Sequence, residues 1–535
     1  MSDVKIYDTT LRDGSQTEGI SFSLNDKIKI AEKLDDLGFH YIEGGWPGSN
    51  PKDKEFFKTI RERKLKHAQI AAFGSTRRAN IDCTNDVNLR ELVRSQAPVV
   101  TIFGKSWDLH VTDVIKTSLE ENLAMIRSSV AFLKKKKRTV FYDAEHFFDG
   151  YKANPEYALA TLLAAQEGGA ECLILCDTNG GSLPQEISHI VTAVQTGVAT
   201  PLGIHTHNDL DLAVANSLAA INAGCVQVQG TFTGLGERCG NADLTTIIGI
   251  LHTKMSRTSI PASKVKQLTE AAYFLSEISN IKLANNHPFV GHSAFAHKGG
   301  VHIDAMLKNP LAYEHIDPDT IGNHRRFITS ELAGKMPIIM KAQQMDVKLD
   351  KKSPQAKKLL KQLQEKEHSG YQFEAADASF ELFMKRALKK HTAFFDLEGF
   401  KVSTEKRFDN RIFAEASVRL AVNGEEKFSA AEGEGPVDAL DRALRQALEK
   451  FYPSLKDMHL TDYKVRVLDT KEGTAAKVRV LIESQDKTDS WTTVGVHGNI
   501  IEASWEALID SIEYKLLKDK QSHTVIKSPG HRLRK

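Results

Sequence analysis

The stretch PLGIHTHNDLDLAVANSLAAINAG, residues 201–224, contains one strand, one turn and one helix, and it predicts the repeating unit of the fold. Its first part, LGIHTH (202–207), is a short apolar run with a polar tip, which is typical of a buried strand. The second part, DLAVANSLAAINAG (211–224), has apolar residues at helical spacing and ends at a glycine. Residues i and i+2 of a strand point to the same face, so His205 and His207 can converge on one metal ion.

The same unit recurs through the first half of the chain. Seven further strands are predicted at VKIYD (4–8), HYIEGG (40–45), QIAAF (69–73), VVTIF (99–103), TVFYDAE (139–145), CLILCD (172–177) and VQVQGTF (226–232). Helical patterns occupy residues 24–38, 85–95, 118–133, 155–169, 184–194 and 241–251. In the first of these, Asn25 or Asp26 is expected to cap the helix and Gly38 to end it.

Eight strand–helix units in about 250 residues predict an α/β fold, the (β/α)₈ TIM barrel. A doubly wound open sheet is the alternative. For a nucleotide, that fold would carry a glycine-rich turn after the first strand, which TTLRDGSQ (9–16) does not match.

The barrel places catalytic groups at the carboxyl ends of its strands. Polar residues occur there repeatedly: Asp8, Arg12, Asp13, Glu43, Asp143, Glu145, Asp177, Thr178, His205 and His207. Two imidazoles and the carboxylate of Asp13, with positions left open for water or substrate, are typical of a catalytic metal site. The alternative for the histidine pair is two ordinary polar residues at a strand end.

Composition excludes several classes of protein. The chain has 535 residues, enough for two or three domains, with 41% apolar and 26% charged residues and a net charge of +2. This balance gives no sign of a nucleic-acid or membrane partner, and the basic run KKKKR (134–138) is interpreted as a solvated helix end. Five unpatterned cysteines favour a reducing compartment. Because no apolar run reaches about 20 residues and the first strand leaves no room for a signal peptide, we expect a cytoplasmic enzyme.

Three barrel motifs in order, TLRDGSQ (10–16), HTHND (205–209) and GERCGNA (236–242), resemble those of the acyl-CoA Claisen condensing enzymes, a family within the barrel metallolyases. The resemblance continues in HKGGVHIDAM (297–306) and covers essentially the whole chain. Within the family, EGGWPGSNPKD (43–53) is most similar to the citramalate synthase branch.

The resemblance implies condensation of acetyl-CoA with pyruvate and hydrolysis of the thioester to (R)-citramalate and CoA, the first step of a pyruvate route to isoleucine. It also implies a divalent metal ion, which could be Mn²⁺, Mg²⁺ or Zn²⁺. Selectivity for pyruvate should come from a small hydrophobic wall around its methyl group. The alternatives are a 2-isopropylmalate synthase that uses 2-oxoisovalerate, and a hydroxyacyl-CoA lyase of the same superfamily.

The resemblance also assigns residues. It implies that Asp13, His205, His207 and Asn241 hold the metal, that Arg12 and Thr178 contact the oxo acid, and that Arg12, Glu145, His302 and Tyr313 belong to the catalytic set. Asp304, two residues from His302, is added to this set as a residue that could orient His302. Asn241 could instead cap the last barrel helix. His146 stands where relatives usually carry an acid, so the role of Glu145 rests on its strand position. Both Glu145 and a His302–Tyr313 arrangement are candidates for the general base.

Three domains are expected: a catalytic barrel at residues 1–280, helical linker subdomains at 281–395 that carry His302 and Tyr313, and a regulatory α+β domain at 396–535. The last contains an internal repeat, because FSAAEGEGPVDALDRALRQAL (428–448) echoes WTTVGVHGNIIEASWEALIDSI (491–512). The resemblance implies that this domain dimerises the chain and binds isoleucine as a feedback inhibitor. It further implies a homodimer whose active sites are completed across subunits.

Overall fold

The computed structural model describes residues 4–327, 353–373, 376–406, 408, 410–468, 476–487 and 489–526. The chain divides into two compact units. The first comprises Met1–Phe295 and Glu314–Arg325, and the second comprises Ala296–Tyr313 and Arg326–Lys535. Residues 328–352, part of the predicted helical linker, lie outside the described residues.

The first unit contains the predicted barrel. Its eight strands pair in parallel in sequence order, and the eighth pairs with the first, with Ile6 opposite Val228. The strands are β1 (Lys5–Asp8), β2 (Tyr41–Gly45), β3 (Gln69–Ser75), β4 (Val99–Lys105), β5 (Thr139–Glu145), β6 (Cys172–Asp177), β7 (Leu202–Thr206) and β8 (Gln227–Gly230). The TIM-barrel prediction is therefore confirmed.

Helices pack along the outside of the barrel, between successive strands and after the last one. They are α1 (Leu24–Leu37), α2 (Pro51–Ile60), α3 (Val87–Arg94), α4 (Leu119–Lys135), α5 (Phe147–Ala153), α6 (Pro155–Gly168), α7 (Pro184–Gln195), α8 (Ala213–Asn222), α9 (Leu244–Thr253), α10 (Ala262–Val265) and α11 (Leu268–Ser279). Helices α2 and α5 were not predicted from the sequence. The start of α2 does carry a local signal, since Asn50 caps it by accepting a hydrogen bond from the Lys52 amide and Pro51 follows as the first helical residue.

The start of α1 differs from the sequence prediction. Ser23 is the N-cap and accepts a hydrogen bond from the Asp26 amide, while the Asp26 carboxylate accepts one from the Ser23 amide. The prediction of Asn25 or Asp26 as the cap was wrong, because this reciprocal arrangement places Asp26 three residues into the motif. Gly38 ends the helix at φ 88°, as expected for a left-handed position.

Side chains fill the barrel interior. A buried layer inside the strands includes Tyr7, Tyr41 and Phe141, and the rings of Tyr41 and Phe141 meet edge to face at 5.0 Å. A second and larger apolar cluster packs between the strands and the helices. Because the interior is a packed core, ligands are confined to the end of the barrel where the strands finish.

The second unit begins with small elements and ends with a duplicated one. It contains the parallel pair β9 (Ala296–His297) and β10 (Arg326–Phe327) and the helices α12 (Gly300–Lys308), α13 (Pro354–His368) and α14 (Asp377–Ala387). The strands β11 (Asp396–Lys406), β12 (Ile412–Val422) and β13 (Glu425–Gly433) form an antiparallel sheet that precedes α15 (Pro436–Leu448). The strands β14 (His459–Val467), β15 (Val478–Gln485) and β16 (Ser490–His497) repeat this order before α16 (Ile500–Ile526).

The predicted repeat is confirmed by its packing. The matching positions of the two helices, Ala439, Ala443 and Leu444 in α15 and Ala503, Ala507 and Leu508 in α16, are all buried. The small side chains of the four alanines let each helix lie close to its own sheet. Within the part of the chain that the structure describes, no helix is both long and apolar enough to cross a bilayer.

Candidate active site

Three side chains of types that can ligate a metal ion meet at the carboxyl end of the barrel. His205 lies at the tip of β7, His207 follows it, and Asp13 follows β1. His205 Nε2 lies 3.4 Å from His207 Nε2 and 3.7 Å from Asp13 Oδ2, and all three residues are buried. One donor atom from each residue falls within 4.8 Å of the others, so the three can bind a single ion.

The ionisation states of these groups fit a metal site. Burial raises the pKa of Asp13, but Arg12 and the two histidines lower it more, to about 2. Burial and the neighbouring His205 lower the pKa of His207 to about 3. At neutral pH the site therefore presents a carboxylate and a neutral imidazole, which are the forms that bind a cation.

Two buried polar atoms beside this cluster also suit a bound ion. Within the described residues, His207 Nδ1 and Asn241 Oδ1 have no hydrogen-bond partner. Leaving such atoms unpaired in a buried place is unfavourable, so their presence points to a ligand. Mixed nitrogen and oxygen donors with this geometry accept Mg²⁺, Mn²⁺ or Zn²⁺.

Asn241 belongs to this cluster and does not cap a helix. Its Nδ2 donates to Asp13 Oδ1 at 3.2 Å and to the Leu235 carbonyl at 3.1 Å. The N-cap of α9 is Asp243, whose carboxylate accepts from the amides of the first helical turn, so the capping alternative was wrong. Gly236, at φ 156°, is required here because a Cβ would lie 2.2 Å from Asn241 Nδ2.

A residue that sequence reasoning missed orients His205. Gln229, on β8, places its Oε1 2.9 Å from His205 Nδ1, and its Nε2 donates to Asp143 Oδ1 at 3.2 Å. With Nδ1–H donated to Gln229, the lone pair of His205 Nε2 faces the cluster. The signal in the sequence was the pair of amide side chains in the short, fully buried strand QVQG.

Arg12 is held on three sides. Its Nη1 donates to Asp13 Oδ2 at 2.8 Å, its Nε donates to Glu43 Oε1 at 2.5 Å, and its guanidinium lies 3.7 Å above the centre of the Phe73 ring. Burial lowers the pKa of Arg12, but Glu43 and Asp13 outweigh that effect and raise it. The guanidinium is therefore a permanent and fixed positive charge beside the metal cluster.

Glu43 supports Arg12. It is fully buried and also accepts hydrogen bonds from Tyr7 Oη at 2.5 Å and Thr9 Oγ1 at 2.6 Å. The sequence placed Glu43 at the barrel mouth but gave it no role. The contacts show that it joins β2 to β1 and to the loop that carries Arg12.

Other polar residues predicted at the mouth have structural partners. Asp8 accepts from the amide and hydroxyl of Thr10 and from the Phe232 amide. Burial raises its pKa to about 7, against the lowering effect of these bonds. Asp177 accepts from Ser182 Oγ and its amide.

Asp143 is the exception among these acids because it lies in the site itself. Burial raises its pKa well above the ordinary value, and the charge of Glu43 adds to that shift. Its side chain lines the cavity and accepts a hydrogen bond from Gln229 Nε2.

One cavity of about 250 Å³ lies at this end of the barrel. It is lined by Arg12, Asp13, Gln16, Trp46, Phe73, Phe103, Asp143, Glu145, Cys176, Thr178, His205, His207, Glu237 and Arg238. Glu145 forms an ion pair with Lys105, and Thr178 Oγ1 accepts from the His146 amide at 2.9 Å. The barrel residues that the resemblance assigned thus share one cavity or adjoin it.

His302, Asp304 and Tyr313 belong to the second unit. His302 and Asp304 lie on α12, and Tyr313 follows the short turn Pro310–Ala312. The rings of His302 and Tyr313 stack with their centres 4.2 Å apart. Asp304 accepts a hydrogen bond from Lys308 at 2.7 Å.

Comparison with known families matches three segments in order. Residues 3–272 match the HMGL-like family, residues 289–369 a homocitrate synthase post-HMGL domain, and residues 374–516 the LeuA allosteric (dimerisation) domain.

Curated relatives extend over nearly the full length. The chain is 54% identical to (R)-citramalate synthase of Geobacter sulfurreducens, over 97% of this chain and 99% of that protein. It is 55% identical to (R)-citramalate synthase of Aquifex aeolicus, over 97% and 98% of the two chains. Identity falls to 32% with 2-isopropylmalate synthase of Methanocaldococcus jannaschii, over 96% of this chain and 95% of that one.

Substituting Gln229→Leu is expected to weaken divalent metal binding by about 10- to 100-fold, because His205 would lose the partner that fixes its tautomer and ring. Titration calorimetry with Mn²⁺ measures the change. Gln227→Leu is the matched control, since it makes the same replacement on the same strand at an amide whose Nε2 has no partner within the described residues. Equal affinity in the wild type and the Gln229→Leu variant would contradict the assigned role.

Proposed function

This chain belongs to the (R)-citramalate synthase family, and on that basis we propose that it joins the methyl carbon of acetyl-CoA to the keto carbon of pyruvate and hydrolyses the thioester, releasing (R)-citramalate and CoA. The observation that carries the proposal is the cluster of Asp13, His205 and His207 beside a fixed Arg12 in one small cavity. Such a site suits a small anionic oxo acid. The 2-isopropylmalate synthases are more distant relatives, which makes 2-oxoisovalerate the weaker candidate substrate.

Asp13, His205 and His207 would hold a divalent cation, with Asn241 as a fourth group at or near it. When bound, such an ion supplies Lewis-acid polarisation of a chelated ketone. Two neutral imidazoles and one carboxylate leave the ion with net positive charge, which favours an anionic oxo acid. Mn²⁺, Mg²⁺ and Zn²⁺ all remain compatible with these donors.

Arg12 stabilises the negative charge that develops on the ketone oxygen as the new carbon–carbon bond forms. Glu43 and Phe73 hold its guanidinium in place before substrate arrives, so little reorganisation is needed in the reaction. Thr178, at the end of β6, contacts the carboxylate of the oxo acid. Both residues line the cavity.

Proton removal from the acetyl methyl group is assigned to the stacked His302 and Tyr313, directly or through a water molecule, with Glu145 in support. Asp304 lies on the same helix, but residues two apart on a helix do not face each other, so it is proposed only as a charged neighbour of this pair. We place the pair in the active site of a neighbouring subunit, so that a homodimer has two sites completed in trans. Water is the nucleophile for the thioester, because the sequence has no G-x-S-x-G segment for an acyl-enzyme.

The duplicated sheet-and-helix domain, residues 396–535, is proposed to dimerise the chain and to bind isoleucine as a feedback inhibitor. Its match to a LeuA allosteric (dimerisation) domain supports both roles. A cytoplasmic location is part of the proposal. It agrees with five cysteines that are all free, four of them buried.

Incubation with acetyl-CoA, a divalent metal and pyruvate is expected to release CoA, measured with a thiol reagent. The kcat/KM for pyruvate should exceed that for 2-oxoisovalerate by at least about tenfold, because each extra methylene in a tight pocket lowers kcat/KM by about that factor. Chelator treatment should abolish the release, and added Mn²⁺, Mg²⁺ or Zn²⁺ should restore it. Equal or better turnover of 2-oxoisovalerate would assign the chain to the 2-isopropylmalate branch instead.

Mixing two inactive variants tests whether sites are completed across subunits. Asp13→Ala removes a barrel ligand and His302→Ala removes the proposed acid–base group, so each homodimer should be inactive. Refolded or co-expressed at equal amounts, the mixture should regain about a quarter of wild-type activity, because half of the dimers are mixed and each has one intact site. No recovery in a mixture shown to contain heterodimers would place both groups in the same chain's site.

Deletion of residues 374–535 is expected to abolish isoleucine binding while leaving metal binding to the barrel unchanged. The cut is placed before α14 because Arg386 of that helix pairs with Asp510 and Glu513 of α16, so a later cut would leave half of this ion cluster. Calorimetric titration of isoleucine into the full and shortened chains gives the comparison, with valine as the ligand control. Isoleucine binding that persists in the shortened chain would locate the effector site elsewhere.

A further inference from the structure

Three aromatic rings form one side of the cavity. Trp46 follows β2, Phe73 lies on β3 and Phe103 on β4. Phe73 and Phe103 stack at 5.4 Å, and Trp46 meets each of them edge to face at 5.7 Å. We call these three residues the aromatic wall.

The wall supplies most of the apolar lining of the cavity. The cluster of Asp13, His205 and His207 and the guanidinium of Arg12 occupy the polar part of the lining, where a carboxylate and a ketone oxygen would bind. The remaining substituent of a 2-oxo acid then has to lie against apolar side chains. Most of that apolar lining is the aromatic wall.

The members of the wall are not equivalent. Phe73 carries the Arg12 guanidinium on its face at 3.7 Å, and Phe103 is stacked on Phe73. Replacing either would disturb the catalytic arginine or its platform. Trp46 touches both rings at their edges, so its size can be changed with the least effect on Arg12.

Trp46 is fixed at both ends by hydrogen bonds. Its indole Nε1 donates to Asn88 Oδ1 at 2.8 Å, and Asn88 Nδ2 in turn donates to the Ser75 carbonyl at 2.7 Å. Its backbone amide donates to Asp53 Oδ2 at 2.9 Å, and Asp53 is paired with the buried Lys27 at 2.5 Å. The ring therefore cannot move aside for a larger ligand without breaking one of these bonds.

The backbone before Trp46 is equally constrained. Gly45 has φ 139°, and a Cβ there would lie 2.3 Å from the Asp53 carboxylate. A Cβ at Gly44 would lie 2.2 Å from the Phe56 ring on α2. Both glycines let β2 approach α2 closely enough for Asp53 to accept the Trp46 amide.

We propose that Trp46 determines how long a 2-oxo acid the site accepts, restricting it to the methyl substituent of pyruvate, and that Asn88 is a positioning residue that holds the indole in place. This inference rests on the proposed function and adds to it the residue that selects among 2-oxo acids. Rejection of a longer acid arises because its extra carbons would meet an indole that cannot shift. Removing the indole should open the cavity by the length of one or two carbons.

The test compares kcat/KM for pyruvate, 2-oxobutanoate and 2-oxoisovalerate, each with acetyl-CoA, by CoA release. In Trp46→Leu the ratio of kcat/KM for pyruvate to kcat/KM for 2-oxobutanoate should fall by about tenfold or more, mainly through a lower KM for the longer acid. Trp46→Phe, a smaller change that keeps a ring, should give a smaller shift in the same direction. Asn88→Ala should also lower the ratio, and Asn88→Asp should retain more of it because its carboxylate still accepts the indole N–H.

Phe56→Leu is the matched control. It shortens a fully buried ring that packs under β2 but does not line the cavity, so it loosens the same strand without changing the wall. Its ratio should stay within about twofold of the wild type. Metal titration and thermal melting confirm that each variant is folded.

A wild-type ratio in Trp46→Leu and Trp46→Phe, or an equal shift in Phe56→Leu, would overturn the inference. Failure of the proposed function gives a different result: the wild type would then release CoA with a longer acid and not with pyruvate. In that case Trp46→Leu should accept a 2-oxo acid longer than the longest one the wild type accepts. If the preferred chain length were unchanged, the role of Trp46 would be overturned as well.

Discussion

The geometry of the candidate site depends on one buried carboxylate. Glu43 is fully buried, and a buried charge is stable only when it is paired and hydrogen bonded. It accepts hydrogen bonds from the hydroxyls of Tyr7 and Thr9 and from Nε–H of Arg12. These bonds join the first two barrel strands and the loop between them. Arg12 then donates to Asp13 on one side and contacts the face of the Phe73 ring on the other. Glu43 therefore positions the guanidinium that links the cluster of Asp13, His205 and His207 to the aromatic wall.

The cluster of Asp13, His205 and His207 depends on a second chain of buried contacts, which joins β5, β8 and β7. Asp143 accepts a hydrogen bond from Gln229, and Gln229 in turn contacts His205 Nδ1. Each group sets the orientation of the next, as is usual for the partners behind metal ligands. Arg12 and the three clustered side chains line one part of the cavity and the aromatic wall lines another, and the proposed selection of substrates by Trp46 rests on this division.

The C-terminal sheet-and-helix units are held by apolar packing and by ion pairs. The two units use the same small-residue positions, Ala439 with Ala443 and Ala503 with Ala507, to bring each helix onto its sheet. Ionic contacts join α14 to the last helix through Arg386, Asp510 and Glu513. Burial raises the pKa of Asp510, against the lowering effect of Arg386. The duplicated module is therefore fastened by charge to the helix that precedes it in the chain.

The sequence alone determined the barrel, its eight strands and the positions of its polar tips, because period-two and helical spacing are local properties of neighbouring residues. It also located the histidine pair and Asp13, since residues two apart on a strand share a face and strand ends share a mouth. It did not reveal the caps of α1 and α9, where a residue just outside the periodic run accepts the helix amides. The links from Gln229 to His205, from Glu43 to Arg12 and from Asn88 to Trp46 join residues 24, 31 and 42 positions apart. Only the closed barrel decided these contacts, because it alone brings different strands and loops to one place and buries their polar groups until each has to find a partner.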